Sequence, residues 1–160
     1  MDRSLVPLTA VSAVGSGVVG GVFFAFSVFV MTALSRLPKP QGIVAMQEVN
    51  RAAPTPWFMA ALFGTALTCL ALAVASLADG MDDAAAWYRV AGSALYLVAV
   101  VLTIVYHVPR NDALDAVDPG AAGAPADWDR YVSAWTAWNH VRTVVCIAAA
   151  ALFTIAQRVA

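Results

Sequence analysis

LVPLTAVSAVGSGVVGGVFFAFSVFVMTAL, residues 5–34, carries no charged side chain along its whole length. A helix needs roughly 20 predominantly apolar residues to cross the hydrocarbon core of a bilayer, so this stretch crosses unaided. Three further stretches share its character. Trp57 to Ala78 is also free of charge, Val90 to Tyr106 runs uncharged between Arg89 and His107, and Thr143 to Gln157 is the apolar remainder of a longer helix beginning near Asp127. The last two are short for a span and must draw polar end residues partly into the membrane. Composition agrees: 61% of residues are hydrophobic and 12% charged, against about 25% charged in a soluble domain.

These four runs and three polar connections define an all-α, integral membrane four-helix bundle, with residues 1–160 forming one domain and the lipid bilayer as its first partner. After Pro38 and Pro40, residues 42–52 have the pattern of a short interfacial helix between helices one and two. Gln47, Asn50 and Arg51 share one face of it, while Ile43 and Met46 can dip into the interface. Pro54 and Pro56 end it. Helix one carries Ser12, Ser16, Gly17, Gly20 and Gly21 at small-residue spacing, a seam that admits another helix closely and is compatible with a homo-oligomer. Helix three is expected to stop near His107, because Pro109 biases its predecessor away from helical geometry. The small residues from Gly120 to Ala126 read as a flexible connection.

The opening apolar run is too long for the core of a signal peptide and is read as a retained first helix. Four spans put both termini and the Asp79–Arg89 loop on one side, with Arg3, Arg89 and Arg158. The other side has Arg36, Lys39, Arg51, Arg110 and Arg130, a modest excess that favours the cytoplasm for it. Net charge is −1 with no basic run, which argues against nucleic acid as a partner. Cys69 and Cys146 each lie deep in an apolar run and read as small hydrophobes rather than as a disulfide or zinc framework. The chain has no phosphate-cradling glycine loop and no Ser/His/Asp or Cys/His nucleophile pattern.

Polar chemistry concentrates in WTAWNHVRT, residues 135–143. A charged residue within a span costs about 2.5–3.5 kcal/mol on insertion scales, so it usually faces a cavity or a partner. At 100° per residue, Tyr131, Trp135, Trp138 and Arg142 fall within about 60° of one another, whereas His140 lies about 160° from Arg142, with Asn139 between. His140 and Arg142 therefore cannot both point at one central spot. A second polar group, YHVPRN at residues 106–111, supplies His107 and Asn111 at the end of helix three. Under the four-span topology His107, the Gln47–Arg51 face and the Asn139–Arg142 cluster adjoin one membrane boundary.

Four segments, FFAFSVFVM (23–31), GIVAMQEVN (42–50), YHVPRN and WTAWNHVRT, together resemble the anthrone-oxygenase-like family of small four-helix membrane proteins, in that order and over nearly the whole chain. The resemblance implies an integral protein of a bacterial cell membrane that oxidises a lipophilic aromatic molecule with dioxygen. An anthrone must lose a methylene proton to become an electron-rich enolate before dioxygen can take an electron, so such a site needs a base, donors for the oxyanion and a flat apolar slot. His107 or His140 can be the base. Arg142, Asn139, Arg51 or Asn50 can hold the oxyanion, Trp135, Trp138 and Phe residues can stack on the rings, and Gln47 and Asn111 join them as substrate- or cofactor-binding residues. Two alternatives stay open on the same residues: His107 and His140 as axial ligands of a haem or as ligands of a metal ion, and a membrane carrier or assembly protein without turnover.

Overall fold

The computed structural model describes residues 5–160 and is helical nearly throughout. Arg3, counted above toward orientation, lies outside the described residues. Helix α1 (Leu5–Ala25) runs through a π turn (Phe26–Val30) into α2 (Met31–Ser35), and α3 (Lys39–Ala52) follows. Then come α4 (Pro56–Ala78), α5 (Ala84–Leu102), a second π turn (Thr103–His107) continuing into α6 (Val108–Asp115), and the long α7 (Ala124–Val159). Counted as continuous rods, four helices among the described residues are long and apolar enough to cross a membrane: Leu5–Ser35, Pro56–Ala78, Ala84–Asp115 and Ala124–Val159.

The rods form a ring in which α7 packs along α1 and α5, and α4 closes the far side against the same two helices. Small residues set the spacing. Gly20 lets α1 approach α7 so closely that an added Cβ would lie 3.0 Å from the Cβ of Cys146, and Gly92 meets the ring of Phe153 at a similar distance. Ser12 and Ser16 lie on the same buried face, and Ser12 donates to Thr68 of α4 at 2.8 Å. Gly17 and Gly21 instead look outward with nothing near them. The expected seam is thus the Ser12–Ser16–Gly20 row alone. Outward-facing Val, Leu and Ile side chains cover the rest of the rods, as a hydrocarbon surround requires.

Two sequence expectations are corrected. Helix three does not stop at His107: the second π turn carries the chain through it, and Pro109 falls in the first turn of α6, where its missing N–H has little to lose. Nor do Ile43 and Met46 of α3 dip into lipid. Both are fully buried in a second core with Trp128, Leu114 and Met31, and Gly42 sits against the Trp128 ring. Gln47 fastens α3 over the end of α6 by donating to the Leu114 and Val117 carbonyls at 2.9 and 3.0 Å. Asp83 caps α5 by accepting from the Ala86 N–H at 2.6 Å.

Candidate functional site

Each π turn holds one more residue than an α turn, which widens the rod locally and redirects the side chains that follow. The two occur in α1 and α5, the helices flanking α7. Between them α7 inserts Asn139 and Arg142, both buried. Asn139 donates to the Phe23 carbonyl at 2.7 Å and to Ser27 Oγ at 2.8 Å, so its amide closes the polar gap beside the first π turn. Its Oδ1 accepts from Arg142 Nη2 at 2.6 Å, and Thr103 Oγ1, in the second π turn, accepts from Nη1 at 3.1 Å. The guanidinium lies 4.1 Å from the centre of the Phe23 ring and 5.4 Å from that of Trp135.

All these partners are neutral. Among the described residues no carboxylate pairs with Arg142, and its Nε has no hydrogen-bond partner. Removing a cation from water without a counter-ion costs several kcal/mol, so Arg142 leaves the site with an uncompensated positive charge.

His107 sits at the end of the second π turn, almost wholly enclosed. Its Nδ1 lies 3.1 Å from the Leu102 carbonyl. A carbonyl only accepts, so Nδ1 carries the proton and Nε2 has the free lone pair. Nε2 has no partner among the described residues. Trp135 stands edge-on to the imidazole at 5.1 Å between ring centres and donates its indole N–H to Asn111 Oδ1 at 2.9 Å. Tyr131 donates to the same oxygen, also at 2.9 Å. With Oδ1 taken twice, the amide hydrogens of Asn111 are the ones left for a ligand.

His107, Asn111, Trp135 and Arg142 line a cavity of about 630 Å³, within the range of small-molecule sites. Its walls come from α1, both π turns, α3 and its connection to α4, α4, α6 and α7. Phe23, Phe26, Met46, Phe58 and Leu62 supply apolar surface, and His107, Asn111, Asn50, Asp115 and Arg142 supply the polar points. The structure thus brings together His107, Asn50, Asn111, Trp135 and Arg142, with Asn139 behind them as their support.

Four expected site residues stand elsewhere. Gln47 is spent on backbone carbonyls, as described. Arg51 is exposed and pairs with Glu48. Trp138 lies outside the cavity against Tyr106, at 5.0 Å between ring centres. His140 is exposed and does not line the cavity, consistent with its angle on α7. His107 and His140 therefore cannot be joint ligands of one haem or metal. No three His, Cys, Asp or Glu side chains gather as a metal site among the described residues. The donor set does not fit the paired-histidine centre left open by the sequence.

The sequence reading missed Thr103 and Asp115. A signal for the last was present: His107, Asn111 and Asp115 are spaced by four, one helical stripe, and only the expectation that Pro109 ends the helix concealed it.

Residues 55–152, about three-fifths of the chain, match the family model for anthrone oxygenase. The match covers α4 through most of α7, including His107, Asn111, Trp135, Asn139 and Arg142. No curated protein and no solved structure matches the chain.

Proposed function

From its membership of the anthrone oxygenase family, we propose that this membrane protein oxidises a flat, lipophilic aromatic substrate with dioxygen at the activated methylene opposite the ring carbonyl. The observation that carries the reading is the pairing, in one apolar cavity, of a histidine with a bare Nε2 and an arginine with no carboxylate partner among the described residues.

The chemistry follows from those two groups. His107 Nε2 takes one methylene proton, and the electron pair of that C–H bond delocalises onto the ring carbonyl oxygen as an enolate. Arg142 and the Asn111 amide offer charge and hydrogen bonds to that oxyanion, which lowers the barrier to forming it. The enolate transfers one electron to dioxygen, and the resulting radical pair combines to form a C–O bond and a peroxide anion. Protonation of its outer oxygen by the His107 imidazolium gives the hydroperoxide. Loss of the second methylene proton with cleavage of the O–O bond then leaves a ketone and water. The balance is one methylene and one dioxygen in, one carbonyl and one water out. Phe23, Phe26 and Trp135 give the rings an apolar wall.

Purified protein in detergent is supplied with anthrone, and oxygen uptake is followed beside quinone absorbance. The expected result is equimolar oxygen consumption and quinone formation above the uncatalysed rate. His107→Ala should lose about 10²–10⁴-fold in rate, the usual contribution of a general base, while unfolding near the wild-type temperature. Wild-type protein that gives no more quinone than buffer, or a fully active His107→Ala, overturns the proposal.

A further inference from the structure

Apart from the cavity, a groove of about 460 Å³ runs between α6 and the first turns of α7. Arg110 and Ala113 stand on one wall, Arg130 and Ala134 on the other, and the buried Leu114 and Tyr131 form the floor. The two alanines leave room between the helices. The groove shares no lining residue with the cavity.

Its charge is unbalanced. Two arginines against one carboxylate, that of Asp127, leave a net charge of +1 along the groove. Asp127 is already held by Arg130, whose guanidinium keeps further N–H groups for another acceptor. Arg110 takes part in no ion pair among the described residues. Its guanidinium carbon lies instead 3.5 Å from the centre of the Tyr106 ring, and Tyr106 packs against Trp138 at 5.0 Å between ring centres.

That stack fixes the depth of the charge. Tyr and Trp concentrate where a membrane meets water, at the level of the headgroups. Arg110 is four residues, about 6 Å, beyond Tyr106 toward the α6–α7 connection, and its side chain folds back over the ring, at the depth of lipid phosphates. On the other side of the aromatic pair the outward faces of α5 and α7 carry Val101, Val105, Val141 and Val144, all exposed, an apolar bed for acyl chains. Basic pockets beside membrane helices hold phosphate headgroups in this way. A zwitterionic headgroup brings its own ammonium, and the carboxylate that could receive it is taken by Arg130. A headgroup of charge −1 balances the groove.

We propose that this groove binds an anionic phospholipid, with Arg110 as the principal phosphate contact and Arg130 as the second. The site stands independently of the oxidation proposed above. Detergent-solubilised protein is titrated with phosphatidylglycerol or with phosphatidylcholine of the same chains, and the first bound lipid is followed by native mass spectrometry. Wild-type protein should favour phosphatidylglycerol by about fivefold, the size of one basic residue's contribution beside anionic lipid. Arg110→Gln should bring that ratio close to one, and Arg110→Lys should keep part of it, since the charge remains and the flat stacking on Tyr106 is lost. Arg130→Gln should lower the ratio as well, which reads the groove even where Arg110→Gln fails to fold. Arg36→Gln removes the same charge from an exposed position on the same side, outside the groove, and should leave the ratio unchanged. Inorganic phosphate at the same concentration should not displace the lipid. The proposal is overturned by a wild-type ratio near one, by a ratio unchanged in both groove variants, or by an equal loss in Arg36→Gln, which would mean diffuse attraction. Displacement by inorganic phosphate overturns it too, by making the groove a site for soluble anions.

Discussion

Asn139 makes three side-chain hydrogen bonds within the site. Its amide group satisfies a backbone carbonyl on α1 and a hydroxyl beside it, and its oxygen holds the guanidinium on its own helix. Replacement by alanine strips a donor from Phe23 and an acceptor from Arg142 at once. Thermal unfolding of Asn139→Ala in detergent should show a loss of about 1–3 kcal/mol, with little cavity contribution because the deleted group is small. Asn139→Asp also loses the donor to the Phe23 carbonyl, but it places a carboxylate against Arg142, which withdraws the positive charge from the cavity. Binding of an anionic aromatic such as a naphtholate should weaken by tenfold or more in that variant, and equal affinity in the two proteins would contradict the assigned role of Arg142. Arg142→Lys should retain only part of the binding, since a single ammonium cannot span Thr103 and Asn139 as the guanidinium does.

At the scale of the elements, the two π turns decide what the helices present. Removing one residue from the second, for instance by deleting Ile104, returns it to α geometry and turns everything after it by about 100° relative to α5. His107 and Asn111 should then leave the cavity. We expect such a deletion to lose aromatic ligand binding by calorimetry while circular dichroism stays fully helical. The same turns mark where sequence was readable and where it was not. The rods themselves were legible, because long uncharged runs have one stable solution in lipid. The course of the chain beyond His107 was not: Pro109 carries a local signal for a helix end, and a π turn upstream, which no periodicity announces, makes the proline acceptable. The burial of α3 was also hidden, since Ile43 and Met46 suit a membrane interface and a protein core equally. Helix contact was half legible. Small residues on α1 pointed to close packing, yet only geometry separates Gly20 from Gly17. Gly20→Val should destabilise the bundle by about 1–3 kcal/mol through overpacking against Cys146, and Gly17→Val should leave its unfolding temperature nearly unchanged.

For the whole molecule, an even number of membrane-capable rods places the α4–α5 loop on one side and both the α2–α3 and α6–α7 connections on the other. Single cysteines at Gly120 and Asp82 should therefore react with an impermeant maleimide from opposite faces of sealed vesicles. Cys69 and Cys146 are fully buried and should add little background. Labelling of both positions from the same face would require a different number of crossings.

Phe63 of α4 and Ile104 of the second π turn line the cavity and are 42% and 51% exposed. A lipophilic ligand is expected to enter between them from the acyl chains. The bilayer is then the reservoir from which the cavity fills, and occupancy follows the mole fraction of ligand in lipid rather than its concentration in buffer. Adding empty lipid at constant protein and constant total ligand should raise the apparent Kd in proportion to the lipid added, and affinities measured in different membranes become comparable only after division by that partition.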